Sequence, residues 1–139
     1  MNDTIDTVRV ITDHAINPAT EKLTITALDA PGSGGASHLY QITGFDSTRN
    51  AAYSPGDWGL QRQVHILFQN GPIPEVGVNG ITHEALLAIV ADRLRGFQSG
   101  PFACEENERA LLNVEDALRC LKYRTRERMQ RGVEGTYKA

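Results

Sequence analysis

A chain of 139 residues with 40% hydrophobic and 22% charged residues carries enough apolar material for one domain, without a disulfide or metal to hold it. A formal charge of −3 weighs against a general nucleic-acid coat, and no apolar run approaches the length of a membrane span. MNDTIDTVRV lacks the basic and apolar regions of a signal peptide, so the expectation is a cytoplasmic protein. The charge is uneven: between Arg119 and Arg131 six basic residues stand against Glu127 alone, so this stretch is +5 and the remainder −8.

The N-terminal half alternates. Val8 to Thr12 forms a short β-rich run ended by the Asn17-Pro18 turn signal. Lys22 to Leu28 puts Leu23, Ile25 and Ala27 on one face, which predicts a second strand. The loop DAPGSGGAS lacks the Lys-Ser/Thr ending of a phosphate loop and reads as a flexible hairpin loop. His38 to Phe45 predicts a third strand. Its face of His38, Tyr40 and Ile42 suits a pocket wall or subunit contact, and equally a half-buried sheet face with polar tips in water. Asp46 to Leu60 is a long irregular segment holding Trp58 and Arg49. Gln63 to Gln69 is the most apolar strand, with Val64, Ile66 and Phe68 on one face and His65 and Leu67 on the other, which predicts a central place in the sheet.

Strand-like sequence gives way to helix-like sequence between Phe68 and Gly80, FQNGPIPEVGVNG. Its glycines, prolines and asparagines make a shaped loop, with turn signals at Asn70-Gly71 and Asn79-Gly80. One reading is a plain sheet-to-helix connector. The other rests on Phe68 beside the amides of Gln69, Asn70 and Asn79: an aromatic face with amide donors and acceptors is what a nucleobase pocket needs.

Thr82 is a predicted N-cap with Glu84 in the first turn, opening a helix from about Thr82 to Gln98 along Leu86, Leu87, Ile89, Val90, Leu94 and Phe97. Gly100-Pro101 stops it. A second helix starts near Ala103, with Leu111, Val114, Leu118 and Leu121 as its stripe, and pairs with the first as an antiparallel hairpin over one sheet face. Its apolar pattern stops at Tyr123 although nothing breaks the helix before Gly132. Beyond lies a cationic stripe, with Arg124, Arg128 and Arg131 on one face and Arg119, Lys122 and Arg126 on a neighbouring one. Such a stripe wants phosphates or an acidic partner subunit, or complements the helix's own dipole. Cys104 and Cys120, about 24 Å apart along that helix, cannot pair and read as buried or half-buried thiols.

The fold class that follows is α+β. An N-terminal antiparallel sheet of about four to six strands (1–70) leads through a connecting loop (71–81) to a helical part (82–139) whose second helix is long. His14, His38, His65 and His83 fall on different elements without ligand-spaced partners, so no metal site and no cofactor are expected. No nucleophile elbow, phosphate-loop lysine or paired-acid motif argues for an enzyme.

The run FQNGPIPEVGVNGITHEALLAIVADRL, continuing RGFQSGPFACEENERALLNVEDALRCL and ending RTRERMQRGVEGTY, resembles the first-described family of phage-encoded Thoeris anti-defence proteins. The resemblance covers about Gln63 to Tyr137, and VRVITD and YQITGFDS also look like that family. The tail from Arg131 to Tyr137 also occurs in other small phage proteins, and Tyr137 stands where the family pattern has histidine.

The resemblance implies a sponge rather than an enzyme: a homo-oligomer of dimers assembling to hexamers in the infected bacterial host cell. Such a protein binds intact the cyclic ADP-ribose isomer made by TIR-domain enzymes, and related members also take cyclic di- or trinucleotides at separate sites. On this reading Phe68 stacks on the base, while Gln69, Asn70 and Asn79 meet its edge or the ribose hydroxyls. Arg93, Arg95, Arg124 and Arg128 hold the pyrophosphate. The competing class is a nucleic-acid or protein interaction module acting through the basic helix end, though the −8 body argues against DNA. A phage structural protein in which the loop is only a connector is the third.

Overall fold

The alternating half of the chain forms four antiparallel strands in the spatial order of the sequence: β1 (Arg9–Ile11), β2 (Thr24–Ala27), β3 (Leu39–Thr43) and β4 (Gln63–Leu67). The computed structural model describes residues 8–53 and 61–139, so Trp58 and the end of the irregular segment lie outside the described residues. The chain divides into two compact units at the 70/71 boundary, and each is described by itself.

In the first unit, directly opposed residues share a face of the sheet. The register Ile11↔Ile25, Ile25↔Ile42 and Ile42↔Val64, with Ala27↔Tyr40 and Tyr40↔Ile66, makes one face largely apolar, with Arg9 on it opposite Ala27. The other face carries a polar ladder, in which the Gln41 amide donates to Gln63 Oε1 at 3.0 Å and lies 3.3 Å from His65 Nε2. β4 is not central as its composition predicts. Among the described residues it is an edge strand paired with β3 alone, and Val64 and Leu67 are exposed. Apolarity on both faces therefore does not report here on the number of neighbouring strands.

The glycine-rich connection between β2 and β3 is pinned at its base, in contrast to the flexible loop its composition predicts. The Asp29 carboxylate accepts from the backbone N–H groups of His38 (2.9 and 3.0 Å) and Leu39 (2.9 Å), and Ser37 Oγ donates to Asp29 O at 2.9 Å. Burial pushes the Asp29 carboxyl up, but the N–H donors of Leu39 and His38 outweigh it and hold the group below its ordinary value. At the end of β3, Gly44 has φ +102°, and a Cβ there would fall 1.9 Å from Lys22 O, so only glycine fits.

The second unit begins with one helical turn, α1 (Ile73–Val76), inside the stretch that reads as loop in the sequence. Pro72 precedes it, and Gly77 at φ +74° ends it. It is followed by α2 (His83–Gln98) and α3 (Glu105–Gln130). Thr82 caps α2 as predicted, its side chain accepting from Ala85 N at 3.2 Å. α3 closes on Gly132 at φ +73°, where Val133 N donates to Arg128 O and Gly132 N to Met129 O, both at 3.0 Å. This is the glycine-terminated helix end that satisfies the last carbonyls.

The two long helices pack as an antiparallel pair. Along α2 the half-buried or buried positions include Glu84, Leu87, Ala91, Leu94 and Gln98, with Leu86 beside them; along α3 they include Leu111, Val114, Leu118, Leu121, Thr125 and Arg128. Both sets step by three and four, the seam of a short coiled coil, and fully buried Ala91 lets the backbones approach. Arg95 to Glu115 at 3.0 Å and Thr125 to Glu84 at 3.5 Å tie the helices together. The thiols are exposed rather than buried, because both lie off this seam: Cys104 caps α3, its Sγ accepting from Asn107 N at 3.5 Å.

A four-stranded antiparallel sheet followed by helices with a long last helix is an α+β fold. Among the described residues the buried apolar side chains are Ala27, Ala91 and Pro72, and no large side chain is fully buried. No helix among these residues is long and apolar enough to cross a membrane.

Candidate functional site

Three of the expected ligand contacts lie at the end of the first unit. Phe68 follows β4, is half-buried, and packs edge-on against Tyr40 with ring centroids 5.8 Å apart and planes at 89°. Its N–H donates to His38 O at 2.8 Å, which extends the β3–β4 ladder by one rung and fixes the ring beside Tyr40. Gln69 is half-buried and Asn70 exposed. The Asp29 network stands one step behind, since the residue whose carbonyl holds Phe68, His38, is the one whose N–H Asp29 accepts. His38 is buried with Nδ1 3.6 Å from the Asp29 carboxylate.

The sequence did not point to a hollow in this unit. A cavity of about 580 Å³, within the usual range for small-molecule sites, is lined by residues including Asp46, Asn50, Tyr53, Gln63 and His65. Asp46 is held below its ordinary value by the Thr48 hydroxyl and N–H that donate to it. The Tyr53 hydroxyl is buried without a hydrogen-bond partner. Aromatic and polar side chains so spaced offer a ring face with donors and acceptors. No regular motif announces them, because they come from an irregular segment and a strand edge.

The expected arginines are distributed over the second unit. Arg93 lies over the Phe97 ring, 5.6 Å from its centroid, beside a hollow of about 250 Å³ at the hairpin bend that Phe97, Gly100 and Phe102 help to line. Arg95 is engaged with Glu115. Arg124 is exposed on α3, off the helix seam. Because α2 and α3 are antiparallel, Arg93 and Arg95 stand toward the bend and Arg124 and Arg128 toward the opposite end, so one unit does not gather all four around one phosphate pair. Asn79 is exposed and lies just before α2, at the end of the unit where Arg124 lies.

Arg128 departs most from the cationic stripe read in the sequence. It is 4% exposed, and its guanidinium turns to the chain's own tail. Nη2 donates to Val133 O at 2.9 Å and Thr136 O at 3.1 Å, Nη1 donates to Lys138 O, and Nε lies 3.6 Å from the Glu134 carboxylate. The spacing that finds it is the helix seam itself: Leu118, Leu121, Thr125, Arg128 continues the three-four step past the last apolar residue. The tail so held touches α1, where Ile73 N donates to Gly135 O at 2.8 Å. Among the described residues no group of histidines, cysteines and carboxylates is placed to hold a metal ion.

Comparison with known proteins gives two findings. Residues 60–121, spanning β4, the α1 segment, α2 and most of α3, match the family described as "Acb2/Tad1, hairpin domain". Over 72 residues the chain is 51% identical to "Thoeris anti-defense 1" of Bacillus phage SBSphiJ7, a match covering 52% of this chain and 51% of that protein. The chain thus matches about half the length of that relative. The match takes in β4 and the helical pair, and over residues 60–121 the chain is similar to the Acb2/Tad1 hairpin-domain family.

Proposed function

We propose that the protein counters the Thoeris defence of an infected bacterium by binding a cyclic ADP-ribose isomer and keeping it from its effector, without degrading it. The observation that supports this most directly is the 51% identity over half the chain to a phage protein named for anti-defence against Thoeris. The residues proposed as contacts are tested one at a time. Phe68, with Gln69 and Asn70, supplies an aromatic face and amides in the first unit; Asn79, Arg93, Arg95 and Arg124 supply polar and cationic groups in the second. A sponge removes one signal molecule per site, so it must bind below the signal's working concentration and release slowly. Pockets completed between protein copies would serve that demand, and the apolar side chains left exposed on both units favour a homo-oligomer. Cyclic di- and trinucleotides are a second ligand class for the same assay.

The test is capture and release. The purified protein is mixed with a cyclic ADP-ribose isomer made by a TIR-domain enzyme, free ligand is removed by filtration, the protein is heat-denatured, and the released material is run on HPLC. Intact ligand is the expected result. Fragments would mean an enzyme, and neither capture nor breakdown would remove the proposed activity on this signal. Phe68→Ala and Asn79→Ala should each weaken binding at least about tenfold, or about 1.4 kcal/mol. A loss on Asn50→Ala with those two unaffected would place the ligand in the 580 Å³ hollow instead.

A further inference from the structure

We propose that Arg128 is a latch: it locks the tail from Val133 to Lys138 onto α1, and this holds residues 71–79, with Asn79, in the arrangement that binds ligand. The ligand-binding half rests on the function proposed above; the latch itself does not. A four-residue helix is far too short to persist in water on its own propensity. α1 is nevertheless formed, and the N–H of its first residue, Ile73, which has no partner inside the helix, is satisfied by Gly135 O at 2.8 Å. The fit is close. Gly135 has φ +79°, and a Cβ there would lie 3.3 Å from Ile73 Cβ, while one at Gly71 would lie 3.1 Å from Val76 Cγ2 and 3.9 Å from the Tyr137 hydroxyl. The tail thus meets α1 at its first residue and again beside Gly71.

The tail is fixed in turn by Arg128. Three of its carbonyls, from Val133, Thr136 and Lys138, converge on one guanidinium, with Glu134 as counter-charge. The dependence is mutual. A cation 4% exposed is tolerable only while those acceptors are in place, and tail residues without regular structure gain order only by filling them. Arg128 continues the buried spacing of α3, so the latch ties the end of α3 to the segment that precedes α2. In this role Arg128 is a positioning residue.

The test compares the unaltered protein with Arg128→Ala, read by amide hydrogen exchange resolved to Ile73 and by affinity for the cyclic ADP-ribose isomer. Ile73 exchange should accelerate at least about tenfold while amides in the middle of α2 and α3 keep their protection. Affinity should fall about tenfold, and low, non-denaturing concentrations of guanidinium ion, which refills the vacated site, should restore both readouts. Simple loss of stability would not be rescued in this way. Gly135→Ala, which displaces the tail without touching the seam, serves as the second variant and should release Ile73 even if Arg128→Ala does not fold. Unchanged Ile73 exchange in the folded variants overturns the latch, and released Ile73 with unchanged affinity overturns the positioning role. If the unaltered protein captures no ligand, the functional reading has failed and the positioning role falls with it, whereas Ile73 exchange still decides the latch.

Discussion

Asp29 sets the conformation of the β2–β3 connection by accepting from two successive backbone N–H groups, His38 and Leu39. Because the next link in the same chain is the His38 carbonyl that holds Phe68, a change at Asp29 reaches the aromatic side chain proposed to stack on a base. The sign of its pH dependence follows from the direction of the shift. A carboxyl held below its unfolded value of 3.8 contributes stability that is fully present above that value and is lost as pH falls through the lower folded value. We expect the Asp29 carboxyl, followed by NMR, to titrate below 3.8, with exchange of the His38 and Leu39 amides rising as it protonates. Asp29→Asn keeps one acceptor oxygen and removes the charge, so it should cost about 1–2 kcal/mol at neutral pH and progressively less in acid. A midpoint at or above 3.8 would show that the two N–H donors do not govern the group.

Among the elements, α2 is the one most fully legible in the sequence: Thr82 at the cap, Glu84 in the first turn, a three-four apolar step, and Gly100-Pro101 beyond its end. Local chemistry decides each of these features, so local reading finds them. Thr82→Ala should cost about 1 kcal/mol in urea unfolding, because Ala85 N loses its acceptor and water replaces it only in part. An unchanged midpoint would mean that the first turn is held by other contacts. The features that local reading missed are set by tertiary partners. β4 is apolar on both faces yet lies at an edge among the described residues with Val64 and Leu67 exposed, because apolar composition does not set the number of hydrogen-bonded neighbours. Arg128 carries the charge of a surface residue in a seam position, and the tail that makes this tolerable comes after the helix has ended. The one-turn α1 is equally invisible, since its support is a carbonyl 62 positions further along, at Gly135. The Phe68 segment is proposed from aromatic and amide chemistry that is visible in single residues, whereas the hollow around Tyr53 arises only where a strand edge meets an irregular segment.

For the whole molecule, the decisive quantity is how little apolar surface a single chain hides. With 40% hydrophobic residues, a chain of this length ordinarily buries several Leu, Ile or Phe side chains completely; here the fully buried apolar side chains among the described residues are two alanines. Ile89 at 59% exposure on α2 and Leu112 at 57% on α3 leave apolar surface on the hairpin, and Val64 and Leu67 do the same on β4. Surface of this kind favours burial against another copy of the chain, which would also complete pockets that one copy lacks. Light scattering at micromolar concentration should therefore give a mass that is a multiple of the 15.3 kDa chain. Leu112→Asp should lower that mass while the helical circular dichroism stays, because the charge must then be desolvated to re-form the contact. If oligomers create the ligand pockets, capture should fall in proportion to the assembled fraction as the protein is diluted. A single-chain mass at micromolar concentration with full ligand capture would show that each chain carries a complete site by itself.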